Sequence, residues 1–397
     1  MLSHFEAEPF AVSVTSGLLM VVPLGFILVN LQEIYFRKSN LSIKLILPWI
    51  FFMWATSVGL VGNYPFKHVL RAVCFQSGPL LMFLCFYIQG KSYPGKNFKT
   101  NQRLFFILTA VTAYFFCYNL VSGRKYSADF LKIGSVLYLT MLLPWISILN
   151  NKTLKYILLA GLSCLALFSM KRSALLQISI GGFFYVLIQN MIVERRKRGL
   201  FLFLIPFILL GLFQILIYVN RSTSGALFER IQDLQGDRGS GRFGIWTDLW
   251  WQYKTWPFIN QIGGKGYYLT HEYLGGMRAH NDFIEAILAY GIIGFLANVF
   301  FNIYLSVKAA GMVLRRHPYA ASFVFGVISF WILSMVSYNL YTMYWSLYLM
   351  AFLGYICGID QQDSDFCTLY PDLTIMELHQ LRQEGWQYVI FSYDVYT

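Results

Sequence analysis

Within the stretch RAHNDFIEAILAYGIIGF (278–295), Arg278, His280 and Asn281 stand directly before a long apolar run. A neutral imidazole at such a place can take a proton from a sugar hydroxyl. Arginine's planar fork suits a paired grip on phosphate oxygens. Asn281 is a good helix N-cap, and Asp282 and Glu285 follow in the first turn, where the helix dipole favours negative charge. His280 would then sit just ahead of the cap, beside backbone N–H groups able to hold an anion. Taken singly, an interfacial histidine more often serves as an ordinary hydrogen-bonding group, and an arginine more often pairs with a nearby acid or a lipid headgroup. The set is what points to a shared anionic ligand.

Further arginines extend that set. Arg172 lies in SMKRSALL between two apolar runs, and Arg221, Arg230, Arg238 and Arg242 precede Arg278 in a long polar connection that also carries Lys254 and Lys265. Acids that could neutralise them are Glu229, Asp233, Asp237, Asp248 and Glu272. RFGIWTDLWWQYKTWPF (242–258) predicts an amphipathic helix that ends before Pro257. Its Trp246, Trp250, Trp251, Tyr253 and Trp256 suit the headgroup level of a bilayer, and Trp246 and Trp250 are also candidates to stack on sugar rings. GGKGYY (263–268) marks a turn, and Gly275–Gly276 permits a tight approach before Arg278.

The elements that must position these residues are membrane helices. Of 397 residues, 57% are hydrophobic and only 13% charged, against about a quarter charged in soluble domains. A hydrocarbon core of about 30 Å takes roughly 20 apolar residues per helix. Such runs recur at 10–29, 45–62, 70–89, 104–121, 132–149, 156–170, 174–192, 201–219, 282–306, 320–338 and 340–358. The expected fold is an all-α polytopic membrane protein of about 11–12 spans; the alternating pattern of a closed barrel is not seen. The net charge of +12 comes from short basic loops and is no nucleic-acid signal. The basic loops at Arg37/Lys38/Lys44, Lys91–Arg103, Lys152/Lys155, Arg195–Arg198 and Lys308–Arg316 face the cytoplasm by the positive-inside rule. The connection at about 220–281 then faces outward. Residues 1–358 form the membrane domain, and 359–397, with seven acids and Arg382 as its one Lys or Arg, form an acidic cytoplasmic tail. Eleven spans place the amino terminus outside, and residues 1–9, with Glu6 and Glu8 but no Lys or Arg, do not resemble a signal peptide. The six cysteines are scattered, which favours small apolar side chains over a zinc site or a disulfide scaffold.

Away from their edges, the apolar runs hold no Asp, Glu, Lys, Arg or His except Glu285. Ion-coupled transporters and pumps usually keep such groups within their spans. The polar chemistry is concentrated at the outward face instead. No acidic cluster with metal-ligand spacing is seen there.

The pattern His280-Asn281, nine residues, Gly291, two residues, Gly294 resembles the signature of the O-antigen polymerase and ligase superfamily. KRSALL (171–176), with Arg172 four positions before Leu176, is similar to that family's shorter arginine motif. SGRFGIW (240–246) resembles the opening of its outward loop. The family usually has an even number of spans with both termini cytoplasmic, which the eleven runs do not match, and the acidic tail has no counterpart in it. The resemblance implies a multi-pass protein of the bacterial cytoplasmic membrane. It implies metal-independent, inverting glycosyl transfer, without cofactor, from an undecaprenyl-diphosphate-linked glycan. Arg172, Arg242 and Arg278 would bind the diphosphate, and His280 would activate the acceptor hydroxyl. Asn281 and Glu285 would support the histidine, and Gly291 and Gly294 would allow close helix packing. Membrane lipids, a chain-length regulator and a flippase are the partners it implies. Polymerase is the expected activity, with the ligase that moves a finished glycan onto lipid A core as the alternative. A lipid-linked glycan flippase is the competing class, and it requires neither His280 nor Arg278.

Overall fold

The computed structural model describes residues 21–35, 41–60, 66–92, 94–123, 136–167, 171–193, 242–267, 279–337, 340 and 343–369. Helices account for nearly all of them, and no strand occurs among them. The helices are α1 (Leu31–Tyr35), α2 (Leu41–Leu60), α3 (Phe66–Ser92), α4 (Pro94–Gly123), α5 (Val136–Ser147) and α6 (Lys152–Leu167). Next comes α7, built from Arg172–Leu176, a π-helical Gln177–Gly181, Gly182–Ile188 and a second π-helical piece, Gln189–Val193. It is followed by α8 (Arg242–Lys254), α9 (Phe258–Gly263), α10 (Asp282–Leu314), α11 (Ala320–Val336) and α12 (Met343–Leu369). The expected run at 201–219, the segments 220–241 and 268–278, and the tail beyond 369 lie outside the described residues.

Among the described residues, three helices are long and apolar enough to cross a membrane: Ala72–Ser92, Ser173–Val193 and Asp282–Leu314. Twenty-one residues at about 1.5 Å each reach about 31 Å, the thickness of the hydrocarbon core. Ile43–Gly59, Val136–Ser147 and Ala320–Val336 are apolar but shorter. The chain is an all-α protein of membrane character.

The chain divides into two compact units. The first comprises 1–88, 230–304 and 330–351. Its interior is aromatic: Trp49 meets Tyr290 edge-on at 5.5 Å, and Phe301 sits edge-on between Phe83 at 5.3 Å and Phe330 at 5.6 Å. Its buried Gln76 accepts a 2.5 Å hydrogen bond from Ser57, so α2 and α3 share a polar tie inside an apolar layer.

The second unit comprises 89–229, 305–329 and 352–397. Trp145 stacks on Phe105 at 3.7 Å and meets Phe352 edge-on at 5.4 Å. The unit ends in an ionic network. Asp360, fully buried, receives Lys308 Nζ at 2.7 Å and both of its oxygens accept from Arg315 Nη2, at 2.8 and 3.0 Å. Arg315 also donates to the Ser364 hydroxyl at 2.7 Å. His317 Nδ1 accepts the Tyr319 N–H at 3.2 Å, so its Nε2 carries the hydrogen that faces Asp363 Oδ2 at 3.2 Å. Buried acids need such partners. The expected boundary at 358 therefore falls inside α12, and the first acids of the expected tail belong to a packed helix end.

Candidate active site

The site lies in the first unit, where α8, the start of α10 and the end of α11 come together. Ile245, Trp246, Leu249 and Tyr253 fall at helical spacing on one stripe of α8, and with Trp256 just past its end they pack on Ala279, Ile284, Ile287 and Leu288. The other side of α8 leaves Phe243, Trp250 and Trp251 exposed, and Phe258 and Ile259 continue that apolar surface. Lys254 Nζ stands 4.8 Å over Trp251 and 5.5 Å over Trp250, and Lys265 Nζ stands 4.6 Å over Trp256. Pro257 lies just past the end of α8, as its fixed φ and missing N–H require. Burial raises the Tyr253 phenol above its ordinary pKa, so it remains a donor, and it binds the Gln261 carbonyl at 2.9 Å.

Asn281 caps α10. Its Oδ1 accepts from the N–H groups of Phe283 at 2.9 Å and Ile284 at 3.1 Å, and its Nδ2 donates to the Met335 carbonyl at 3.1 Å. Arg242, the first residue of α8, donates through Nη1 to the next carbonyl along α11, that of Val336. Two sequence-distant side chains thus meet at consecutive carbonyls of one helix end. Asp282, fully buried, accepts the Leu340 N–H at 3.1 Å, which ties the chain after α11 to the same place.

His280 occupies the turn before the cap, with φ +54. A non-glycine residue there costs on the order of 1 kcal/mol or more and persists when its surroundings over-determine it. They do so here. The Ala279 N–H donates to Glu285 Oε1 at 2.8 Å, and the Ala279 carbonyl accepts from Trp246 Nε1 at 2.7 Å. Asn281 fixes the residue on the other side.

Gly291 breaks α10. Its φ of +64 and ψ of −157 are open only to glycine at low cost. A Cβ there would overlap the Ile262 carbonyl, and one on Gly264, at φ +79, would overlap that of Ala289. The break frees two α10 carbonyls, and the glycine loop after α9 satisfies them: Lys265 N–H donates to Leu288 O and Gly266 N–H to Ala289 O, each at 3.0 Å. Gly294 lies against Trp49, where a Cβ would stand 3.1 Å from the ring.

Of the residues expected from sequence, Arg242, Trp246, Asn281 and Glu285 are drawn by hydrogen bonds around the turn that His280 occupies. Trp250 lies on the same helix with its ring half exposed beneath Lys254. Arg172 opens α7 and belongs to the other unit. Arg278 lies outside the described residues. Sequence reasoning missed the clamp on Ala279, the role of Asp282 and the pairing of Gly264 with Gly291. A lone carboxylate, Glu285, inside an apolar run was the available signal for the first. Among the described residues, no group of three or more His, Cys, Asp and Glu is placed to hold a metal ion. No known protein family, no curated protein and no solved structure matches the chain.

Proposed function

We propose that this chain is a multi-pass glycosyltransferase of the bacterial cytoplasmic membrane. It joins oligosaccharide units carried on undecaprenyl diphosphate, at the outer face, through about 11–12 spans with the 220–281 connection outward. His280 removes the proton from the acceptor hydroxyl. The acceptor oxygen attacks the anomeric carbon of the lipid-linked sugar from the face opposite the diphosphate, so the configuration inverts as the carbon–oxygen bond to phosphate breaks. Arg242 and Arg278 hold the departing diphosphate and offset its growing charge. Arg172 is assigned to the phosphate by sequence resemblance alone.

One observation carries the reading. Arg242 and the His280–Asn281 turn, distant in sequence, are tied to adjacent carbonyls at one helix end. The Arg242 side chain and the turn that carries His280 thus stand together at the entry of a helix long enough to cross a membrane, which supports the reading. Exposed Trp250, Trp251 and Phe258 beside them supply an interfacial surface on which a lipid-borne substrate would arrive.

The test is complementation of a deletion strain with wild type or His280→Ala, with the surface glycan resolved on a gel. Loss of the long-chain ladder with single repeat units still attached to the acceptor supports polymerisation. A bare acceptor with full-length glycan retained on the carrier assigns the ligase activity instead. An unchanged ladder in His280→Ala removes the catalytic assignment.

A further inference from the structure

Resting on that reading, we infer that Glu285 is a positioning residue for His280, acting with Trp246 through the two backbone groups of Ala279. In an ordinary capping box, an acid at the third helical position reaches back to the N–H of the N-cap. Here the cap is Asn281, and the acid stands one position later, at Glu285. Its carboxylate reaches past the cap and past His280 to the Ala279 N–H at 2.8 Å. Between that N–H and the cap the chain turns back through His280, which takes the left-handed conformation at φ +54.

The chemistry of the other partners agrees. Glu285 is 2% exposed within an apolar stretch, where a carboxylate requires hydrogen-bond donors. The Ala279 N–H is one, and the start of α10 adds a favourable dipole. On the opposite side of the same residue, Trp246 donates its indole N–H to the Ala279 carbonyl at 2.7 Å. Ala279 itself has no exposed surface, so its backbone depends on these two side chains rather than on water. The helix of the aromatic segment and the first turn of α10 therefore grip the two peptide groups that flank the Ala279 Cα, and His280 is the next residue along. Neither Glu285 nor Trp246 needs to touch substrate for this role. Trp246 is assigned to hold the turn, with its nitrogen committed to the backbone.

Positioning predicts a particular pattern of kinetics. Misplacing a catalytic group by about 1 Å costs on the order of 100-fold in rate while leaving substrate affinity largely intact. Glu285→Leu, which loses the acceptor, and Trp246→Phe, which loses the donor but keeps a ring, should each lower kcat by about 10- to 100-fold with KM within about threefold. Glu285→Gln retains a carbonyl oxygen at the same reach and should turn over within about threefold of wild type. The experiment measures kcat and KM for these three variants and His280→Ala, purified in detergent as full chains with matched size-exclusion profiles. The substrate is an undecaprenyl-diphosphate-linked oligosaccharide. The expected order is wild type and Glu285→Gln, then Trp246→Phe and Glu285→Leu, then His280→Ala. If Glu285→Gln is as impaired as Glu285→Leu, the charge itself is required and positioning through the Ala279 N–H is overturned. Full activity in Trp246→Phe and Glu285→Leu with His280→Ala inactive overturns positioning and leaves the catalytic reading standing. Activity in His280→Ala overturns that reading instead. If Glu285→Leu does not accumulate, Trp246→Phe decides alone, because it removes a single hydrogen bond from the same residue.

Discussion

Replacing Gly291 by alanine strikes the contact that shapes α10. At φ +64 and ψ −157 an alanine is strained by about 1–3 kcal/mol. Its Cβ would overlap the Ile262 carbonyl and stand 2.6 Å from that of Gln261, and backbone cannot move aside as a side-chain tip can. Relief requires α9 and its glycine loop to separate from α10. That loses the two bonds from Lys265 and Gly266 to Leu288 and Ala289, each contributing about 0.5–1.5 kcal/mol. The combined cost is about 2–6 kcal/mol, borne locally by 258–267. Thermal unfolding in detergent, together with amide exchange of peptides covering Lys265 and Gly266, reads both the cost and its location. Gly161→Ala is the control, because its Cβ would meet nothing within 4 Å in the middle of α6. Gly264→Ala should give the same loss, and the double variant should cost less than the sum, since both disrupt one docking. Wild-type stability and unchanged protection in Gly291→Ala would refute this reasoning.

Asn281→Asp keeps the cap acceptor but loses the donor to the Met335 carbonyl and should cost about 0.5–1.5 kcal/mol in a melting experiment, whereas Asn281→Ala loses both and should cost about 1–2 kcal/mol. Asp360→Asn leaves Lys308 and Arg315 without their shared anion. It should destabilise the chain by about 2–4 kcal/mol, discounted because the Arg315 side chain is 39% exposed, and an unchanged melting temperature would contradict that. Arg242→Lys can still reach the Val336 carbonyl but cannot grip phosphate in pairs, so transfer should fall by about tenfold or more; full activity would return Arg242 to a purely structural role.

Much of the arrangement is legible from residue order. Asn281, Asp282 and Glu285 announce a helix start, and α10 begins there. The segment from Arg242 and the stop at Pro257 announce α8, but of the aromatic rings expected at an interface only Trp250 and Trp251 are exposed, while Trp246, Tyr253 and Trp256 pack inward. What escapes the sequence is non-local. Gly291 in an apolar run reads as a packing residue of a continuous helix, because nothing near it shows that the Gly264 loop takes over two of that helix's carbonyls. Glu285 reads as a partner of the helix dipole, because its reach to Ala279 depends on the left-handed turn between them. Asp360 reads as part of a solvated acidic tail. Its partners Lys308 and Arg315 stand more than forty residues earlier, beyond any periodicity.

The most direct test of the central claim uses purified protein in liposomes supplied only with an undecaprenyl-diphosphate-linked oligosaccharide, with products resolved by size. The account predicts a ladder of joined repeat units from wild type and unextended substrate from His280→Ala. A ladder of equal length from His280→Ala, or wild type that folds and inserts yet joins nothing, would contradict it.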